Sequence, residues 1–152
     1  MSFLRRLFRS PGSVDDPVLG SLVLRDGQWT GQARWAHSAQ PFALTVHRGS
    51  EAPSEMERAA YLALVRDYPM LRPALQLALD ELWSDARGTI DPPPPDFGGS
   101  LGLWSRMALQ GLALHPDGRL DLIYGLDDAS GVEGAFIVRV QGQEVSPLEY
   151  VE

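Results

Sequence analysis

Residues 28–35 of the chain read QWTGQARW. Small or apolar side chains alternate with polar ones along this stretch, so Trp29 and Trp35 fall on the same side of an extended chain. A period of two is typical of a strand with one buried face. Asp26-Gly27 stands just before it, after the apolar run Leu22 to Leu24. Because both turn positions tolerate positive φ, this Asp-Gly predicts a tight β-hairpin. We therefore expect an antiparallel sheet with both tryptophans on its inner face.

Alternating or apolar runs elsewhere predict five further strands. The six predicted strands are Val18 to Leu24, Gln28 to Trp35, Phe42 to His47, Arg106 to Leu114, Arg119 to Tyr124 and Ala135 to Gln141. They form two meanders of three strands each, and Pro116-Asp117-Gly118 supplies a hairpin turn in the second meander. We expect the two meanders to join as one antiparallel sheet of about six strands.

Between the meanders, apolar residues recur at intervals of three and four, which predicts helices. Ser54 and Glu57 have the spacing of a capping box, so a helix should begin at Ser54. Pro69 should end or kink it, because the residue before a proline is pushed away from helical geometry. A second helix should run from about Met70 to Ala86 and stop at Gly88. The predicted fold class is α+β, with this helical pair packed on one face of the sheet.

The length of 152 residues fits a single domain, and folding at this size buries roughly 70% of the surface of the unfolded chain. Residues 1–13 read as a basic, loosely ordered tail that ends at Pro11-Gly12-Ser13. Residues 14–146 form the predicted domain, in which residues 88–100, with four consecutive prolines, are a semi-rigid connection. Residues 147–152 read as a C-terminal tail.

The chain contains no cysteine, which excludes disulfides and thiolate metal sites and fits a reducing cytoplasm. No apolar run approaches the roughly 18 residues that span a bilayer, and no signal peptide is recognisable. Phe3, Leu4, Leu7 and Phe8, with arginines between them, could lie on an anionic membrane surface. An isolated helix of two turns is marginal in water, so a loose tail is favoured over a membrane contact.

Charge is unevenly distributed along the chain. The net charge is −7, but the first nine residues hold three arginines and no acid, so the other 143 residues carry −10. An acidic body repels nucleic-acid phosphates and attracts cationic partners. The sequence therefore disfavours nucleic-acid binding and predicts that any protein partner is basic. Ala43, Thr45 and Ile137 make the outer face of the predicted sheet mildly apolar, which leaves homodimerisation open.

Histidines are the first candidates for chemistry. His37, His47 and His115 lie in separate predicted elements and lack the spacing of a zinc site. His47 and His115 both end strands and could meet in space, which makes them the catalytic candidates. A small hydrolase would require that they converge in one cleft with the turn Asp127-Asp128. A chance surface position is the favoured explanation of each histidine.

Residues 127–133 place three carboxylates, Asp127, Asp128 and Glu133, around Gly131. Such a composition could suit calcium, but the spacing differs from that of an EF-hand, and an acidic turn explains it without a metal. No phosphate-binding glycine loop or dinucleotide fingerprint is present, so no cofactor is predicted. The lack of a catalytic pattern favours a binding protein over an enzyme without deciding between them.

The opening of the domain resembles a known group of sequences. Asp16-Pro17-Val18-Leu19-Gly20-x-Leu22 followed by Gly27-x-Trp29-x-Gly31 is similar to the start of small bacterial proteins that carry a domain of unknown function. The layout from Leu103-Trp104 to Gly134-x-Phe136 is also similar, so the resemblance covers about residues 15–141. Some of those proteins occur beside toxin systems, which implies an immunity-like role. They tend to carry an aromatic residue and a histidine before the last strand, where this chain has residues 131–134, GVEG.

Three hypotheses follow from the sequence. The first is a non-enzymatic protein-binding module with an acidic surface, in one form an immunity-type inhibitor. The second is the small hydrolase with a site assembled from distant strands. The third is a peripheral membrane protein that uses its N-terminal basic segment.

Overall fold

The computed structural model describes residues 12–49, 51–94 and 97–152. They form an α+β fold with two helices and one mixed sheet of eight strands, which lie in the sheet in chain order. The strands are β1 (Ser13–Asp16), β2 (Gly20–Arg25), β3 (Gln28–Ala33), β4 (Phe42–Val46), β5 (Met107–Leu114), β6 (Leu120–Leu126), β7 (Ala135–Gln141) and β8 (Glu144–Val151). The helices are α1 (Glu55–Arg87) and α2 (Gly99–Arg106). Phe3 to Phe8, for which the sequence favours a loose tail over a membrane contact, lie outside the described residues.

The predicted hairpin at Asp26-Gly27 is confirmed. Asp26 and Gly27 have φ of 49° and 76°, and they connect β2 to β3 with Arg25 opposite Gln28. The inward orientation of Trp29 and Trp35 is also confirmed, since both side chains are buried.

Each buried indole has a hydrogen-bond acceptor, as a buried N–H requires. Trp29 Nε1 donates to the carbonyl oxygen of Glu51 at 2.6 Å. Trp35 Nε1 donates to the hydroxyl of Tyr61 at 2.9 Å. The second bond ties the end of β3 to helix α1.

The sheet differs from the prediction at its centre, because β4 and β5 are parallel while every other neighbouring pair is antiparallel. The prediction of a wholly antiparallel sheet was therefore wrong. The helices between β4 and β5 return the chain to the end of the sheet at which β4 began, so β5 runs in the same direction as β4. A crossover of this kind is what parallel neighbours require.

The two outermost strands were not predicted from the sequence. β1 is only four residues long and contains two aspartates. β8 occupies most of the segment that the sequence predicted to be a tail, residues 147–152. Pro147 is tolerated there because β8 is an edge strand, where a missing N–H disturbs the ladder least.

Helix α1 begins where the capping box predicts, since Ser54 is its N-cap and the Ser54 N–H donates to Glu57 Oε2 at 3.0 Å. Its C-cap is Gly88. The helix nevertheless continues through both Pro69 and Pro73, so the predicted break into a helical pair was wrong. The second helix of the fold is α2, which begins at the end of the predicted connection, residues 88–100, and continues to the start of the strand predicted from Arg106.

The buried stripe of α1 explains why the prolines do not end it. Each proline costs about 3 kcal/mol in a helix interior, but both rings lie on the exposed side. Burying a leucine contributes about 1.5–3 kcal/mol, and the stripe extends well beyond the prolines. Its buried members include Tyr61, Leu64, Tyr68, Leu71, Leu75, Leu79 and Leu82.

Helix α1 lies across the inner face of the sheet from one edge towards the other. Near its start, Arg58 Nε lies 2.8 Å from Asp16 Oδ2 of β1. Farther along, the hydroxyl of Tyr68 meets that of Tyr124 in β6, and the ring of Trp83 packs edge-on against Phe136 in β7. Eight strands spaced about 4.8 Å apart span about 34 Å, and a helix of 33 residues is about 50 Å long. One helix is therefore long enough to cover the whole sheet.

We expect Gly31→Ala in β3 to destabilise the protein by about 1–3 kcal/mol, the usual cost of overpacking. A Cβ at Gly31 would lie 2.7 Å from the Ser21 carbonyl oxygen and 2.8 Å from Leu22 Cδ2. The matched control is Gly88→Ala, whose Cβ would lie 3.5 Å from its nearest neighbour and should shift stability by less than about 0.5 kcal/mol. Urea unfolding followed by tryptophan fluorescence measures both. Equal stabilities of the two variants would contradict the close β2–β3 approach.

Candidate functional site

A cleft of about 1000 Å³ opens where α1 passes the junction of the two halves of the sheet. Its lining comes from four segments of the chain: residues 35–41, 68–72, 104–110 and 124–128. They belong to the β3–β4 loop, the middle of α1, the end of α2 with the start of β5, and the end of β6 with the turn after it. We call this feature the aromatic cleft.

Aromatic rings form the walls of the aromatic cleft. The rings of Trp35 and Tyr68 pack edge-on with centroids 5.4 Å apart, and those of Trp104 and Tyr124 lie 5.9 Å apart. At the mouth, the exposed His37 stacks on Tyr68 with 22° between the planes. Packed aromatic pairs hold each other in place, so the walls of the cleft are preorganised.

Two hydroxyl groups lie between these rings. The Tyr68 and Tyr124 oxygens are 2.9 Å apart, and one hydroxyl donates to the other. Burial raises the pKa of Tyr124 well above its ordinary value of 10, and burial also raises the pKa of Tyr68, although Tyr124 and Arg72 oppose that rise. Both hydroxyls are therefore neutral at physiological pH and can donate or accept hydrogen bonds.

Charges of both signs lie on the rim of the aromatic cleft. The guanidinium of Arg72 sits over the Trp104 ring, 5.5 Å from its centroid, a cation–π contact. On another side, Asp127 is 3.4 Å from Arg106 Nη1, and its neighbour Asp128 is exposed. The lining of the aromatic cleft is about equally polar and apolar, and a concave site in which a few polar groups converge is a usual form of a binding site.

Pro69 adds a backbone acceptor beside the aromatic cleft, which it also lines. In a regular helix the carbonyl of residue 69 would accept from the N–H of residue 73, but Pro73 has none. Pro73 therefore removes the helical donor from the carbonyl of Pro69, which lines the cleft, whereas Pro69 removes the donor from the carbonyl of Val65, which does not line it.

A second polar group of residues lies on the outer face of the sheet, and it brings the two candidate histidines together. Because β4 and β5 are parallel and in register, His47 and His115 directly follow the paired residues Val46 and Leu114. Their rings stack with centroids 4.9 Å apart and 5° between the planes.

Neighbouring strands extend this histidine pair in both directions. His47 Nδ1 lies 2.8 Å from Gln28 Nε2, and His115 Nε2 lies 2.8 Å from Asp121 Oδ2. Arg139 donates to both Asp121 oxygens, at 2.8 and 3.0 Å. Burial alone would raise the pKa of Asp121, but its hydrogen bonds with Arg139 and His115 and their charges lower it below the ordinary value. The Asp121 carboxylate therefore stays charged and holds its neighbours in place. It belongs to a polar row on the outer face of the sheet that runs through Gln28, His47, His115, Asp121 and Arg139.

The predicted hydrolase site does not assemble from these groups. His115 is next to the start of β6, whereas the turn Asp127-Asp128 follows its end. Seven residues of strand separate them by about 23 Å. His115 and Asp121 form a hydrogen-bonded pair of the kind used in acid–base catalysis, but the acidic turn is not part of it.

The acidic turn has a structural explanation. Asp127 is the N-cap of a short 3₁₀ turn, and its Oδ1 accepts from the Ser130 N–H at 3.0 Å. Within residues 12–49, 51–94 and 97–152, no three histidine, aspartate or glutamate side chains are placed to hold a metal ion, which includes the candidates Asp127, Asp128 and Glu133.

In the same ranges, no helix combines the length and apolar character needed to cross a bilayer.

The sequence did not predict the aromatic cleft. Tyr68 and Tyr124 read as ordinary core residues from their spacing. Trp104 lies far from Tyr68 in the chain, and Arg72, one helical turn from Tyr68, reads as a solvent-facing residue. The available signal was Tyr68-Pro69, an aromatic residue next to a proline within a strongly periodic helix. Asp121 and Arg139 were also missed, because their contact depends on the register of β6 and β7.

No protein-family model matches the chain, and no curated protein or solved structure matches it either. The resemblance to small bacterial proteins therefore stays a prediction.

We expect His47→Gln to reduce the loss of stability at mildly acidic pH. Burial lowers the pKa of His47 below its ordinary value of 6.5, and the charge of His115 lowers it further, against an opposing effect of Asp121. The folded state therefore binds fewer protons than the unfolded state, and the free energy of unfolding falls as the pH drops through 6.5 towards the folded pKa. Four aspartates have a pKa lowered below the ordinary value of 3.8, so their effect on stability appears only at lower pH; they are Asp16, Asp67, Asp117 and Asp121.

Urea unfolding at pH 7.5 and 5.5 measures this effect in wild type and variant. The variant should lose less stability between the two values than the wild type. An equal loss of unfolding free energy in wild type and variant would show that protonation of His47 does not oppose folding.

Proposed function

We propose that the chain is a non-enzymatic protein-binding module that receives a segment of a basic partner protein in the aromatic cleft. The observation that carries this proposal is the cleft itself, about 1000 Å³ in volume and walled by aromatic rings from separate elements. Sites for small ligands occupy about 300–1000 Å³. A cleft at the upper end of that range suits several side chains of a peptide segment better than a small metabolite.

The residue types in the aromatic cleft support a protein partner. Tryptophan, tyrosine and arginine dominate the binding energy of protein interfaces, and the two aromatic side chains offer large contact areas at little entropic cost. The cleft gathers Trp35, Tyr68, Trp104 and Arg72. Trp104 is only partly buried, and Arg72 is exposed, so both are accessible to a partner.

Charge supports a basic partner over an acidic one. The whole chain carries −7, and a field of this sign accelerates association with a cationic protein in a salt-dependent way. The exposed Asp128 on the rim can receive a basic side chain directly. An immunity-type inhibitor of a basic toxin is the form of this proposal that the family resemblance implies.

The proposal is tested by selecting displayed random peptides of twelve residues against the full chain. We expect the selected peptides to combine arginine or lysine with aromatic residues. Isothermal titration calorimetry should show that Ala39→Trp weakens their binding at least tenfold, because the new indole stands in the cleft. The matched control is Ala74→Trp on α1, also at an exposed alanine but outside the cleft, and it should bind like the wild type.

Binding should also weaken as salt is raised from 50 to 500 mM. The proposal is overturned if no peptide is enriched, or if the selected peptides bind Ala39→Trp as tightly as the wild type. Enrichment of acidic peptides would instead retain the cleft and refute the basic partner.

A further inference from the structure

Helix α1 is apolar on its outward face as well as on its buried face. Leu62, Met70 and Leu77 are 52%, 75% and 70% exposed. At 100° per residue, their side chains fall within a sector of about 80° on the helix surface, opposite the buried stripe, together with Ala59, Arg66 and Pro73. We call these six residues the outer stripe. A helix face turned to water is normally rich in charge, so this apolar stripe needs an explanation.

The one charged member of the outer stripe is paired, and its long aliphatic stem can lie along an apolar surface while the charged head stays in water. Arg66 Nε and Nη2 each lie 2.8 Å from one oxygen of Asp67, in a two-pronged ion pair within the helix. The exposed arginine therefore does not keep the stripe from packing against an apolar surface.

We infer that the outer stripe is the contact surface for a second copy of this chain, with the two α1 helices antiparallel about a two-fold axis at Met70. The spacing carries this inference, because Leu62 precedes Met70 by eight residues and Leu77 follows it by seven. In a symmetric antiparallel pair, Leu62 of each copy then faces Leu77 of the other, which is the self-complementary pattern that a two-fold interface requires.

Charge placement agrees with the antiparallel arrangement. The two copies of Arg66 lie on opposite sides of the axis, about 12 Å apart along the helices, so they do not face each other. By contrast, the outer face of the sheet, on which the sequence left homodimerisation open, carries the polar row from Gln28 to Arg139. The outer stripe is the more apolar of the two surfaces.

The small area of the outer stripe predicts a weak dimer. From Leu62 to Leu77 the outer stripe is about 22 Å long on a helix about 10–12 Å wide. That is well under the roughly 800 Å² per partner of a standard stable interface. Each copy also carries −7, so added salt should strengthen the association by screening repulsion. This inference does not rest on the aromatic cleft, and the salt dependence has the opposite sign to that expected for partner binding.

Sedimentation velocity of the full chain from 10 µM to 1 mM tests the dimer. We expect the 16.7 kDa monomer at the low end and a growing dimer fraction at the high end, larger in 500 mM salt than in 50 mM. Met70→Glu and Leu77→Glu should remain monomeric throughout. Leu101→Glu, at a leucine on α2 that is 79% exposed, is the matched control and should dimerise like the wild type.

Cross-linking tests the geometry, since the chain has no cysteine of its own. Under mild oxidation, Met70→Cys should form a disulfide dimer by itself. Leu62→Cys mixed with a tagged Leu77→Cys should give mainly the mixed dimer, and Leu101→Cys should remain monomeric. A wild type that is monomeric up to 1 mM, or stripe variants that dimerise like it, overturns the inference. Leu62→Cys that cross-links to itself better than to Leu77→Cys overturns the antiparallel arrangement.

Discussion

The structure depends on one requirement, which is that the inner face of a sheet about 34 Å wide must be kept dry. A single helix meets it by crossing the strands, so its buried stripe must be continuous from the first turn to the last. Contacts at Tyr61, Tyr68 and Trp83 reach successively Trp35, Tyr124 and Phe136, from the β3 side to β7. Pro69 and Pro73 are compatible with this requirement because they occupy only the outward side of the helix.

The position of the aromatic cleft follows from the same arrangement. Tyr68 reaches β6 from α1 in the stretch where the β3–β4 loop, α2 and the start of β5 also approach the helix. Close packing there is made by large rings whose polar atoms bond to each other, as the Tyr68 and Tyr124 hydroxyls do. The packed rings do not fill all the space between the four segments. The remaining space opens outward as a cleft lined by side chains from all four segments.

Much of the fold could be read from local sequence. The alternation in residues 28–35, the turn at Asp26-Gly27 and the capping box at Ser54 depend on neighbouring residues, and all three are present. The sequence also indicates that His47 and His115 could meet, because each of them ends a predicted strand. Six of the eight strands were found for the same reason, since their apolar side chains alternate or run together within a few residues.

What sequence reasoning missed depends on residues that are distant in the chain. Pro69 is a helix breaker in isolation, and only the burial of the leucines beyond it reverses that preference. The parallel pairing of β4 with β5 is set by the path of the helices, not by the strands. The aromatic cleft joins four segments whose aromatic residues look like core residues individually, and the pairing of Asp121 with Arg139 needs the register of two strands.

The single parallel junction also has a kinetic meaning. Every other strand pair joins consecutive segments through a turn or loop, whereas the β4–β5 register sets Leu44 beside Leu112, 68 residues away. Closing so long a loop costs more chain entropy and slows formation. The β4–β5 seam is therefore the strand pairing of this sheet whose formation carries the largest cost in chain entropy. The stacked imidazoles of His47 and His115 lie at the end of that seam, directly after its last paired residues.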